Sequence, residues 1–269
     1  MITPPLLTSD QLATYLDPTV HPSLWTAIIP AAGRGTRLGF DQPKILYPVA
    51  GRTILEWLVD LLAPLCSQFI FVISPQGADP VQRALSQLLP GRSTIATQPE
   101  PIGMADAIAR GLASVETQNT IIVWGDQVAL RPSSLDLAMR LHQGPLQPQA
   151  TCPTLWRDHP YIHFERDAQN RVIRILQARE NDTMPERGES DSGVFLFDTG
   201  SLRRKLPLYL ESLHAIGRRT RELNFLPILP MIDRLITTPI MTEAESVGVN
   251  SPEDARYLEQ QLLARKVSA

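Results

Sequence analysis

At 269 residues with 43% hydrophobic content, the chain is long enough for one large domain with a sizeable core. Its net charge of −3 gives no sign of the basic stripe that a nucleic-acid surface needs, and no apolar run approaches the length that spans a bilayer. Cys66 and Cys152 form neither a CxxC pair nor a disulfide framework, and the opening "MITPPLLTSDQL" lacks the basic and apolar regions of a secretory signal, so a soluble cytoplasmic protein is expected.

Residues 1–24 precede any regular pattern and are read as an N-terminal extension, an accessory arm or short packing helix without chemistry. "WTAIIPA" (25–31) predicts a buried strand, and "TILEWLVDLLAPL" (53–65) carries apolar residues at helical spacing. "FIFVIS" (69–74) predicts a second strand and "PVQRALSQLL" (80–89) a second helix. "STIATQ" (93–98), the helix "GMADAIARGLASV" (103–115) and the strand "TIIVW" (120–124) follow. This alternation predicts an α/β fold, Rossmann-like, with a mixed, mostly parallel sheet flanked by helices. After residue 145 "ATCPTLW", "YIHFER" and "RVIRILQ" read as strands, the last two separated by the turn-like "DAQN", and more antiparallel pairing is expected. "SGVFLFD" (192–198) predicts another strand, and "TGSLRRKLPLYLESL" and "ELNFLPILPMIDRL" read as helical. "RRKLPLYLESLHAIGRRTRE" is expected to be an exposed helix with basic ends. A final helix over 251–266 has Ser251 as N-cap and Asp254 in its first turn.

The stretch "AAGRGTRLGFDQPK" (31–44) follows the first strand. It fails the GxxxxGK[ST] and GxGxxG templates, since both require a glycine where Leu38 stands. What remains is a strand, then A-A-G-x-G-T-R-L, then Pro43-Lys44. Glycines let backbone N–H groups approach an anion, and Arg37 and Lys44 add two cations beside them, as binding a triphosphate requires. Gly125-Asp126 closes an apolar strand, where open α/β sheets bind ligands.

These residues resemble the sugar-1-phosphate nucleotidyltransferases, most closely the uridyltransferase half of the bifunctional N-acetylglucosamine-1-phosphate uridyltransferases. The resemblance runs from about Trp25 to Leu263. "QPEPIGMADAI" (98–108) is similar to the family's base-recognition segment and "WGDQ" (124–127) to its strand-end metal aspartate. "ESDSGVFLF" (189–197) resembles its sugar-contact strand, and "VGVNSPEDARYLE" (247–259) its metal asparagine followed by a helix. The resemblance implies the nucleotide-diphospho-sugar transferase fold as a single domain over 25–269, with a nucleotide-binding half at about 25–145 and a sugar-binding half at about 146–250.

It also implies roles. The nucleotide would meet Ala31, Ala32, Gly33, Gly35, Thr36, Gln98, Gly103, Trp124 and Gly125, with UTP favoured. Arg37 would hold the leaving pyrophosphate and Lys44 the phosphate oxygens at the reacting centre. Asp126 and Asn250 would ligate Mg²⁺, which takes one or two hard oxygens from protein and the rest from water and phosphates. Gln177 or Glu180, with Asp191, would contact the sugar. The partners expected are a nucleoside triphosphate and a sugar phosphate, with no nucleic acid and no membrane; a homo-oligomer is compatible with this.

Departures from the pattern bear on the substrate. Met104-Ala105-Asp106 stands where the uridyltransferases have T-G-H, Asp191 replaces the sugar-contact asparagine, and Gln177 replaces an upstream glutamate. "HPYIHF" lacks the glycine of an earlier sugar loop, and these changes argue against N-acetylglucosamine 1-phosphate as the acceptor. No hexapeptide-repeat segment follows, so acetyl transfer is not expected. His159 and His163 are read as structural rather than as zinc ligands, Met104 as packing, and Glu186 to Glu189 as a solvated loop or lid. Glu222 is a weak candidate for a sugar hydroxyl. Two alternatives stay open: a cytidylyltransferase acting on an alcohol phosphate, whose loop also carries Gly39, and a non-catalytic nucleotide-sensing or assembly subunit.

Overall fold

The computed structural model describes residues 4–33 and 35–268. In chain order its elements are α1 (Ser9–Leu12), β1 (Trp25–Pro30), the short β2 (Pro48–Val49) and β3 (Arg52–Thr53), α2 (Ile54–Leu62), β4 (Gln68–Ile73), α3 (Ala78–Leu88), β5 (Ser93–Thr97), α4 (Met104–Leu112) and β6 (Asn119–Val123). There follow α5 (Pro132–Gln143), β7 (Ala150–Asp158), β8 (Ile162–Arg166), β9 (Val172–Gln177), β10 (Arg187–Asp191), β11 (Val194–Asp198), α6 (Thr199–Leu210), β12 (Leu235–Thr238) and α7 (Pro252–Ser268).

Eight strands form one sheet in the order β10-β7-β11-β6-β1-β4-β5, with β12 beside β7. β5, β4, β1 and β6 are parallel, which their helical crossovers permit, whereas β11 runs antiparallel to both β6 and β7. The mixed, mostly parallel α/β sheet expected from the alternation is therefore present. Successive side chains of a strand point to opposite faces, and β1 shows the consequence. Trp25, Ala27 and Ile29 pack with Leu55, Leu58 and Leu62 of α2 and with Met139 of α5. Ile28 packs on the other face with Ile108 and Leu112 of α4 and Leu206 of α6. On that face α4 lies so close that a Cβ at Gly111 would stand 2.8 Å from Ile28 Cγ2.

Capping sets the helix starts. Thr53 Oγ1 accepts from Glu56 N at 3.2 Å, and the Glu56 carboxylate accepts from Thr53 N at 2.7 Å. Ser251 does the same for α7, accepting from Asp254 N at 3.2 Å while the Asp254 carboxylate accepts from Ser251 N at 2.9 Å. Residues 1–3 of the expected extension lie outside the described residues. The remainder docks on the far edge: Leu7 N donates to Thr237 O at 3.0 Å, and Leu7 and Leu12 pack with Leu141, Leu146 and Ile236.

Three expectations are corrected. "ELNFLPILPMIDRL" is no α-helix: prolines 227 and 230 interrupt its N–H pattern, Leu226–Met231 forms a 3₁₀ turn, and the buried strand β12 follows. The helix expected through "LHAIGRRTRE" stops at Leu210, with a short 3₁₀ turn at Leu213–Ala215 beyond it. Glu189 is not in a solvated loop but fully buried on β10, paired with Arg166 at 2.6 Å and accepting from Thr154 Oγ1 at 2.7 Å.

Candidate active site

The site lies at the C-terminal ends of β1 and β6. Beyond β1, Gly35 (φ 64°) and Gly39 (φ 61°) flank the 3₁₀ turn Thr36–Leu38 in the left-handed region that glycine alone enters without strain. Lys44 folds back across this loop: its N donates to Gly33 O at 3.3 Å, and a Cβ on Gly35 would stand 3.3 Å from Lys44 Cβ. Beyond β6, Gly125 N donates to Pro30 O at 3.2 Å, and a Cβ there would come within 2.6 Å of that oxygen. A glycine is what allows the two strand ends to meet.

Asp126 is placed from a distance. Its backbone oxygen accepts from Val249 N at 2.9 Å, and a Cβ on Gly248 would lie 2.7 Å from its carboxylate carbon. Asn250 donates its N to Asp254 at 3.0 Å and its Nδ2 to Gly248 O at 3.2 Å, which turns Oδ1 towards Lys44. Lys44 Nζ stands between them, donating to Asp126 Oδ2 at 2.7 Å and Asn250 Oδ1 at 2.9 Å. A carboxylate and an amide oxygen from segments far apart in the chain thus converge on one point that already holds a cation. Asp126 and Asn250 would give an ion here two protein oxygens. That donor set fits the hard, mostly hydrated Mg²⁺.

Two cavities meet at this point. The first, of about 270 Å³, is lined by Ala31, Ala32, Gly33, Lys44, Gln98, Gly103, Trp124, Gly125 and Asp126, with Arg179 and Glu222. The second, of about 280 Å³, is lined by Trp124, Asp126, Gln127, Arg157, Gln177, Asp191 and Asn250, again with Arg179. Met104, Trp124, Asp126 and Arg179 border both.

Not every expected residue joins them. Gly35 supports Lys44 from behind, while Thr36 and Arg37 are exposed on the turn and line neither cavity. Glu180 is committed elsewhere: it accepts from Thr220 Oγ1 at 2.6 Å, Arg219 N at 2.8 Å and Asn224 Nδ2 at 3.3 Å. Burial pulls its pKa up, but these hydrogen bonds outweigh it and hold the carboxyl at about 2. It ties down the 217–224 loop and does not line the second cavity, where Gln177 does. Asp191 faces that cavity, and burial pushes its carboxyl up to about 6 against the Gly193 N–H and the positive charge of Arg157.

Sequence reasoning missed Arg179 and Arg157. Arg179 leaves the end of β9 between the two expected candidates Gln177 and Glu180, and a strand-end cation in that position was the available signal. Its guanidinium pairs with Glu222 at 3.2 Å and donates to Asn224, which holds it at the wall shared by both cavities. Met104 lines both cavities as well as packing against the core. Asp106, a departure from the family pattern, accepts from Gln98 Nε2 at 2.9 Å and from Arg110 Nε at 2.7 Å.

Comparison with known proteins adds to this geometry. The model of the MobA-like NTP transferase domain matches residues 27–189. Among curated proteins the chain is similar to the bifunctional protein GlmU of Carboxydothermus hydrogenoformans, 28% identical over 90% of this chain and 54% of that protein. It is 32% identical to the GlmU of Alkaliphilus metalliredigens over 67% of this chain and 40% of the relative. The GlmU of Zymomonas mobilis is 36% identical over 44% of this chain and 27% of its own length. The chain spans about half the length, or less, of these relatives.

Proposed function

The chain belongs to the family of MobA-like NTP transferase domains and is a nucleotidyltransferase; from that premise we propose that it transfers a nucleotidyl group from an NTP, UTP favoured, to a sugar 1-phosphate in a Mg²⁺-dependent reaction that releases pyrophosphate. One observation carries the proposal: two cavities share a wall that includes Asp126 and Arg179, and Lys44, in the first of them, donates to Asp126 at 2.7 Å. The nucleotide occupies the first, its base against Gln98 and Gly103 and its phosphates along the backbone of Ala31 to Gly33. The sugar occupies the second, against Asp191 and Gln177, with its phosphate at the shared wall.

An oxygen of the sugar phosphate attacks the α-phosphorus in line with departing pyrophosphate. The second pKa of a phosphate monoester is about 6, so the nucleophile is already ionised near neutrality and no protein base is needed. The protein's work is positioning and charge neutralisation. Lys44 turns its ammonium from Asp126 and Asn250 to the phosphate oxygens. Arg179 holds the acceptor phosphate from the shared wall, and Arg37, on its exposed turn, meets a leaving group that projects towards solvent. Asp126 and Asn250 would hold the Mg²⁺, which when bound supplies positive charge to the phosphoryl oxygens. The test is pyrophosphate release with each of the four NTPs and a panel of sugar and alcohol phosphates. A sugar 1-phosphate with UTP is the expected pair; release with CTP and an alcohol phosphate alone would overturn the proposal in favour of the cytidylyltransferase.

A further inference from the structure

Gln98 lies in the wall of the first cavity and is 4% exposed. Its Nε2 donates to Gly103 O at 3.0 Å and to the Asp106 carboxylate at 2.9 Å. A carbonyl and a carboxylate can only accept, so the nitrogen end of the amide must face them, and both of its N–H groups are engaged. Neither acceptor is free to move. Gly103 has φ 133°, and a Cβ there would stand 2.4 Å from the backbone of Leu223, so its carbonyl is set by a conformation open to glycine. Asp106 is paired with Arg110 at 2.7 Å. Gln98 Oε1 accepts from no described residue, and Gln98 lines the cavity.

We infer that Asp106 is a positioning residue for base choice: it locks the Gln98 amide so that the cavity reads a nucleobase through an N–H donating to Gln98 Oε1. The N3–H of uracil and the 4-amino group of cytosine both meet that demand. The inference rests on the first cavity being the nucleotide site. A glutamine free to turn could serve a donor or an acceptor equally. A locked one rejects a base edge without an N–H, because Oε1 would then stay buried and unpaired.

The test measures dissociation constants, without acceptor, for UTP, CTP and pyrimidin-2-one riboside 5′-triphosphate, which has neither the N3–H nor the 4-amino group. Wild type is expected to bind the tighter of UTP and CTP about 10- to 100-fold more strongly than the analogue. Asp106→Ala removes the charged acceptor and leaves Gly103 O as the one acceptor on Nε2, so the amide can turn and donate to the analogue's N3 at the cost of that single hydrogen bond, and the ratio falls at least about threefold below wild type. Asp106→Asn carries the same test should the alanine variant fail to fold, because an asparagine pairs with either end of the amide and the ratio again falls. If both variants weaken all three ligands equally and keep the ratio, Asp106 is merely structural and the inference fails. Gln98→Ala separates the two levels: a wild-type ratio in that variant overturns the assignment of the first cavity to the base, and with it the lock.

Discussion

Replacing Asp126 with asparagine removes one negative charge and almost no volume at the point where the two cavities meet. What is lost is the ionic character of the 2.7 Å hydrogen bond from Lys44, between side chains that are 17% and 18% exposed. Hydrogen bonds to charged groups contribute about 1.5–3 kcal/mol, and partial exposure discounts that towards the surface-pair range of about 0–1 kcal/mol. Lys44 also keeps Asn250 at 2.9 Å and can reach solvent, so the expected loss of stability is about 1 kcal/mol. For a chain of this size that lowers the melting temperature by about 2–4 °C. Under the proposed function turnover should fall much further, by about 10³-fold or more, since the carboxylate that would hold the Mg²⁺ has been removed; that corresponds to about 4 kcal/mol of barrier. The gap between the two figures is the diagnostic. Pyrophosphate release and a thermal melt on the same preparation measure both. A variant that keeps activity within tenfold of wild type, or one that melts more than about 10 °C lower, would show that Asp126 serves the fold and not the reaction.

Two further outcomes follow from neighbouring residues. Asp191 has its carboxyl raised from 3.8 to about 6, so the folded protein holds this proton more tightly than the unfolded chain and loses stability as pH rises from about 4 to 6, by about 3 kcal/mol at most. Asp191→Asn should therefore gain about 1–3 kcal/mol over wild type at pH 8 but little at pH 4, in urea melts; an equal gain at both pH values would contradict the burial of that charge. Gly248→Ala places a methyl group 2.7 Å from the Asp126 carboxylate carbon and should displace the carboxylate from Lys44. Turnover is expected to drop about 10²-fold with the acceptor KM changing less, and unaltered kinetics would show that Asp126 does not need its present position.

Much of the architecture was legible because it depends on local pattern. The apolar runs at 25–31, 69–74 and 120–124 read as strands, and the helices over 54–62, 78–88 and 104–112 fall inside or close to their expected spans. The errors cluster where proline and long-range pairing decide. β12 is four residues long and is a strand because Ala150 to Pro153 lie alongside it, which no local period announces. Glu189 reads as solvated from "ERGES" alone and is buried because Arg166, on another strand, neutralises it.

The site divides in the same way. Residue types and order along the chain single out Lys44 and Asp126, since glycine bends and strand ends leave local traces, whereas Gln98 and Asn250 stand out only through the resemblance to a known family. That Arg179 joins them at a shared wall, that Arg37 stands outside on an exposed turn, and that Glu180 is spent on the 217–224 loop were settled only by the folded chain. Backbone preferences act between near neighbours and are therefore written in adjacent residues. Charge pairing and cavity walls act through space, between groups that sequence separation does not relate, and only the packed sheet brings those groups within a few ångströms.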